Sequence, residues 1–378
     1  MKKIIPQAIT LLLIFLVFGF FTYNANVNMS NRGMEFGYSF LKRAASFDIQ
    51  FSLIEYSRES SYAKAYLVGL LNTLLVAFSG IIFATILGLI FGIARLSKNL
   101  LIKEFASFYV EFFRNLPLLL QLFFWYYAAL RILPLPHETE GFYNFYITIK
   151  SLYTPSLIWE NLNIFLYLIF FSIILIFLVK SYLKNIQEKQ GKQFPIFNIS
   201  IIILLLVPSC AFLFGGSSIE IEYPVYKQLS KTSGTFIGGL AIPPEFIALF
   251  LALSLYTGTF IAENVRAGIE GISKGQKEAA ASTGLNQKQI LNLVVLPQAL
   301  RIIIPPTTNQ YLNLTKNSSL AAAIAYPDVV LVFAGTALMQ TGRAIEIVSI
   351  TMATYLSISL AISAFMNYYN KKVAITEK

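Results

Sequence analysis

Eight separate stretches of this chain approach or exceed about 20 mostly apolar residues, the length a helix needs to cross about 30 Å of hydrocarbon. They fall over roughly 4–23, 65–94, 105–133, 161–179, 195–214, 245–267, 299–324 and 344–369. Backbone in hydrocarbon must satisfy every N–H and C=O internally, so such runs fold as helices. The expected fold class is therefore all-α, a polytopic membrane protein with about eight transmembrane helices. Composition points the same way, at 56% hydrophobic and 13% charged residues. A soluble domain carries about 25% charged residues. Lys2 and Lys3 ahead of the first run resemble a signal-peptide start, but no small-residue cleavage site follows at Asn24 to Val27. An uncleaved anchor is expected.

The formal charge of +10 would suit a nucleic-acid binder, but its placement explains it otherwise. Lys and Arg concentrate on one side of the spans, at Arg95, Lys98, Lys103, Lys180, Lys184, Lys189, Lys192, Lys274, Lys277, Lys288, Lys371 and Lys372. Glu138, Glu140, Glu160, Glu220 and Glu222 lie on the other. Basic loops stay in the cytoplasm, so both termini are expected inside, with the lipid bilayer as partner and no nucleic acid. One cysteine, Cys210, and one histidine, His137, supply neither a disulfide nor a usual metal site. No metal, cofactor or catalytic residue is expected.

The chain divides at this stage into 1–64, an anchor helix and outer loop; 65–133, the first part of a helical core; 134–244, an insertion with two spanning helices; and 245–378, the rest of the core. The most patterned loop is the cytoplasmic segment 268–297. Ser273 with Gln276 three residues on, and Asn286 with Gln289, both match the capping-box spacing. Gly284 stands where a left-handed C-cap would fall. Two short helices joined by a glycine elbow are expected, the second ending before Pro297. A pair so small docks either on the chain's own helix ends or on a partner.

In this loop Glu278, Ala279 and Ala280, then Gly284, then Val294, Leu296 and Pro297 resemble the EAA motif of ABC-transporter permeases, E-A-A-x3-G-x9-I-x-L-P. Val294 replaces the usual isoleucine. The segments LVGLLNTLLVAFSG, YVEFFRNLPLLLQLFFWY and LPQALRIIIPPTTNQYLNLTKNSSLAAAIAYPDV look like the polar-amino-acid branch of that family. The extra first span and the insertion resemble the Q-type membrane subunit of general L-amino-acid importers. The resemblance implies a type I importer permease core in the bacterial inner membrane. It also implies three partners: an ATP-binding subunit seated on the EAA loop, a second permease subunit (the same or a homologous chain) and a periplasmic amino-acid-binding protein. The chain contains no G-x4-G-K-[ST] phosphate loop, so ATP hydrolysis falls to another subunit. The rival readings are an ion-coupled secondary carrier and an ABC permease for another small polar solute such as an opine.

Ionisable groups within spans are costly and face protein, water or a partner charge. Glu111 and Arg114 share a helical face, as an ion pair reaching the cytosolic interface or as a lining of the substrate path. Glu263 and Arg266 repeat that spacing and could brace the EAA loop. In the seventh span Pro305 and Pro306 should kink the helix. Asn309 and Asn313 share a face, for helix–helix hydrogen bonds or for substrate. Lys316 would meet outer headgroups or a substrate carboxylate.

Overall fold

The computed structural model describes residues 4–31, 37–214, 216–230 and 234–373. Lys2, Lys3, part of the outer loop within 1–64 and part of the insertion 134–244 lie outside the described residues. The protein is a mostly helical multi-pass membrane protein. Among the described residues six helices are long and apolar enough to cross a membrane: Tyr62–Ala94, Leu162–Gln190, Ile196–Leu213, Pro244–Glu270, Gln287–Ile324 and Ala344–Lys372. Shorter apolar helices occupy Ile9–Asn24, Leu118–Ala129 and Val330–Thr341. The chain forms two compact units, 1–129 with 245–378, and 130–244.

In the first unit α1 (Ile4–Asn31) leaves its apolar side chains exposed, as Phe15 and Phe18 show. The segment after it turns through a short 3-10 helix, Ser39–Lys42, and packs Phe40 against Tyr62 and Phe333. The Gly37 amide donates to Glu346, a buried carboxylate in the first turn of α12 (Ala344–Val373), at 2.9 Å. Nearby, the Arg58 guanidinium holds the exposed Asp48 carboxyl below its ordinary pKa by hydrogen bonding to it.

The centre of this unit is α2 (Tyr62–Ala94) against α7 (Pro244–Glu270). Gly80, Ala84, Gly88 and Gly92 recur every fourth residue and are all buried, giving α2 a stripe of small residues. Small residues let helix backbones approach closely in lipid, where no hydrophobic drive brings helices together. A Cβ on Gly92 would sit 2.7 Å from the Ala262 carbonyl oxygen and 2.8 Å from Val265 Cβ. A Cβ on Gly88 would collide with Ile261.

The expected third span is not one helix. The amphipathic α3 (Leu100–Asn115) stops, and α4 (Leu118–Phe123) begins and widens into a π segment, Phe124–Ala129. Pro117 is the cause. It forces Leu116 out of the helical region, to φ −89° and ψ 129°. Two of the carbonyls freed at the break are claimed by the buried Gln121, whose Nε2 donates to Phe113 O at 2.8 Å and Leu116 O at 3.0 Å.

The second unit holds the antiparallel-packed α5 (Leu162–Gln190) and α6 (Ile196–Leu213), and strands the sequence reading did not anticipate. β3 (Ser156–Glu160) pairs antiparallel with β4 (Ser218–Glu222), placing Trp159 opposite Ile219. Trp159 packs on Phe165 and Phe212, so this ribbon sits over the helix ends. β1 (Tyr146–Ile147), β2 (Leu152–Thr154) and β7 (Leu240–Ile242) form one small sheet; β5 (Val225–Gln228) and β6 (Gly234–Ile237) form another.

Candidate coupling loop and translocation face

The patterned loop folds as two helical pieces about a glycine elbow. α8 (Lys274–Ser282) follows Ser273, but the expected Ser273–Gln276 box does not form. The Ser273 side chain makes no cap bond, and the Gln276 amide goes to the Ser273 carbonyl at 3.2 Å. Gly284 adopts φ +82°, the left-handed conformation in which glycine carries no Cβ penalty. Asn286 then opens α9 (Gln287–Gln289) with a complete capping box. Its side chain accepts from Gln289 N and its amide donates to Gln289 Oε1, both at 2.9 Å.

The second helix does not end before Pro297. A π segment, Ile290–Val295, carries it into α10 (Leu296–Asn317). Pro297 stands just past the π segment, where the helix is already off its regular hydrogen-bond ladder, so its missing amide does not end the run. Pro305 and Pro306 lie inside α10 without ending it.

α8 lies against the π segment; Ala280 on the first, Val295 on the second and Ile272 just ahead of α8 are buried. Ala280 therefore faces its own chain. Glu278, Ala279 and Gly284 are exposed on the outer side of the loop, and among the described residues no atom beyond its chain neighbours lies within 4 Å of where a Gly284 Cβ would stand.

Behind the loop lies a charge cluster only half visible in the sequence. Glu263 on α7 takes Arg266 on one oxygen and Arg95, from the end of α2, on the other. Arg266 also reaches Glu270. Arg95, Glu263 and Arg266 retain 15%, 29% and 29% side-chain exposure. Their mutual attraction is thus less screened than that of surface pairs. Sequence reading found Glu263 with Arg266 through their spacing. It missed Arg95, 168 residues away, because no local pattern links the two.

Glu111 and Arg114 are both exposed on α3 and, among the described residues, form no ion pair with each other. On α10 the exposed positions Ile302, Pro305, Asn309, Asn313 and Lys316 recur at spacings of three and four, so they form one stripe along the helix. Two asparagines and a lysine left open on a helix at membrane depth must meet water or another polar surface. The buried face of α10, with Ile303, Ile304 and Leu314, packs into the unit. Among the described residues no group of three His, Cys, Asp or Glu side chains could hold a metal.

Residues 80–375 match the family model described as binding-protein-dependent transport system inner membrane component. The chain is 43% identical over 379 residues to the general L-amino acid transport system permease protein AapQ of Rhizobium johnstonii, covering all of this chain and 93% of that protein. It is likewise 43% identical over 364 residues to YhdX of Escherichia coli, covering 96% and 91% of the two chains. The glutamate/glutamine/aspartate/asparagine transport system permease protein BztB of Rhodobacter capsulatus is 37% identical over 412 residues, covering all of this chain and 95% of that one.

Proposed function

Since the chain belongs to the family of binding-protein-dependent transport system inner membrane components, we propose how its parts divide the work of an ATP-driven amino-acid importer. The chain is the membrane-spanning permease subunit. The observation that carries the rest is the loop 268–297. It offers an elbow capped on one side by Asn286, with Glu278 and Ala279 outward, where an ATPase subunit can seat. ATP binding and hydrolysis lie with that subunit. Closure of the ATPase pair pushes α8, and the Arg95–Glu263–Arg266 cluster passes the push to the ends of α2 and α7. A second permease chain completes the path and a periplasmic amino-acid-binding protein delivers the solute. Both termini lie in the cytoplasm of a bacterium whose inner membrane holds the complex.

Asn309, Asn313 and Lys316 line the path. Lys316 offers a cation to the solute α-carboxylate, and the asparagines offer paired donors and acceptors without adding charge. Glu111 and Arg114 are not placed in the path. They fit charges held at the cytosolic interface by an amphipathic α3. The solutes are L-amino acids; AapQ is named for a general range and BztB for four acidic and amide residues. Uptake of a labelled amino-acid panel by the reconstituted complex decides between those ranges. Asn309→Leu and Asn313→Leu should change the order of preference in that panel. An unchanged order would remove the stripe from the path.

The elbow is tested at Gly284. Valine has room there, so its only penalty is the left-handed backbone, about 1–2 kcal/mol. Uptake should fall about tenfold with the protein still inserted. Gly284→Asn, which tolerates that conformation, should keep most of it. Equal activity in both variants would refute the elbow. A cysteine at Ala279 should crosslink to the ATPase subunit while one at the buried Ala280 should not.

A further inference from the structure

α2 and α12 meet at one end, where Tyr66 Oη and Thr354 Oγ1 lie 2.7 Å apart. Further along, a groove of about 540 Å³ opens between them with α10 as its floor. Ile82 and Ile86 form one wall, Phe365 and Tyr369 the other, and Ile303 and Thr307 the floor. Among the described residues no charged side chain lines it. Thr85 and Tyr311 bond each other at 2.9 Å, and among the described residues the buried Thr307 hydroxyl is left without a partner. A zwitterionic amino acid would bury two charges in such a groove with no counter-charge, at high cost. The groove therefore does not suit the transported solute. It suits hydrocarbon.

A charge lies one helical turn beyond its lining residues. Phe365, Tyr369 and Lys372 follow each other at four and three residues, so Lys372 continues the groove-facing stripe one turn beyond Tyr369. The Lys372 ammonium sits 4.9 Å from the Tyr368 ring centroid, which holds it at the end of α12, and Lys371 adjoins it. We propose that this groove is a lipid site. One acyl chain of an anionic phospholipid from the cytoplasmic leaflet lies between α2 and α12, with its phosphate at Lys372. A phospholipid supplies both halves of the match, a chain for the walls and a negative headgroup for the mouth. The site stands on the membrane placement of the chain and not on which solute it carries.

Native mass spectrometry of the full complex, purified from membranes containing both zwitterionic and anionic phospholipids, reads this directly. Wild type should retain one anionic phospholipid per copy of this chain. Lys372→Gln should lower that occupancy about fivefold. Ile86→Trp and, independently, Phe365→Trp should fill the groove and remove the lipid, whereas Lys184→Gln in the other basic segment should change nothing. Retention that ignores charge and all three groove variants would overturn the site. So would a cysteine at position 86 that crosslinks to the second permease chain, since the groove would then be a subunit contact.

Discussion

Gly92→Val should part α2 from α7 and give the largest loss of stability of any single change considered. The added Cβ would meet the backbone carbonyl of Ala262 at 2.7 Å, and a main-chain atom within a helix cannot swing aside as a side chain would. Overpacking a well-filled contact costs about 1–3 kcal/mol and sometimes more. The upper end is expected, because the same displacement pulls Arg95, three residues on, away from Glu263. Thermal unfolding of the purified complex in nanodiscs measures this, together with the amount of protein recovered from membranes. Gly92→Ala should fall between valine and wild type. Gly19→Ala on the exposed α1, where nothing lies within 4 Å, should be neutral or stabilising. If valine at 92 melted with wild type, the close approach of the two helices would be wrong.

Glu263→Leu should be the second severe change. It leaves Arg95 and Arg266 facing each other at the rim of the interior without the carboxylate that joins them. Breaking a fully buried ion pair costs about 3–5 kcal/mol, and an exposed one under about 1 kcal/mol. With about a quarter of these side chains exposed, an intermediate loss of about 2 kcal/mol is expected. The informative comparison is the triple variant Arg95→Met, Glu263→Leu and Arg266→Met. Removing all three charges also removes the unpaired arginines, so it should melt nearer wild type than Glu263→Leu alone. A triple variant less stable than the single one would show that packing of these side chains, and not their charge balance, holds the helix ends.

These two sites mark where the amino-acid sequence is legible and where it is not. Spanning helices announce themselves because lipid enforces one long apolar run per helix, and 65–94 or 344–369 need nothing further. The Asn286 box and the Gly284 elbow are equally local, settled by residues three or four apart. Ser273 carries the same spacing and fails. A box needs the chain entering the helix to aim both side chains, and spacing alone does not fix that entry. The strands at 156–160 and 218–222 had a signal, since Ile219 and Ile221 alternate with Glu220 and Glu222 at the period of a half-buried strand. Their partners lie beyond two spanning helices, so the pairing could not be read. The small residues Gly80 to Gly92 were also in plain view, but only Ile261, Ala262 and Val265 give them their meaning. On the proposed path, the asparagines and Lys316 of α10 are legible because polar groups stand out against apolar surroundings. Arg95 was not, because its partner is supplied by folding.

A chain that ends one helix and starts another within two residues ordinarily acquires a pivot. At Pro117 the side-chain amide of Gln121 stitches two of the freed carbonyls to the next helix. The bend is thus a mitred corner, pinned on its inner side by a side chain instead of left to two backbone torsions.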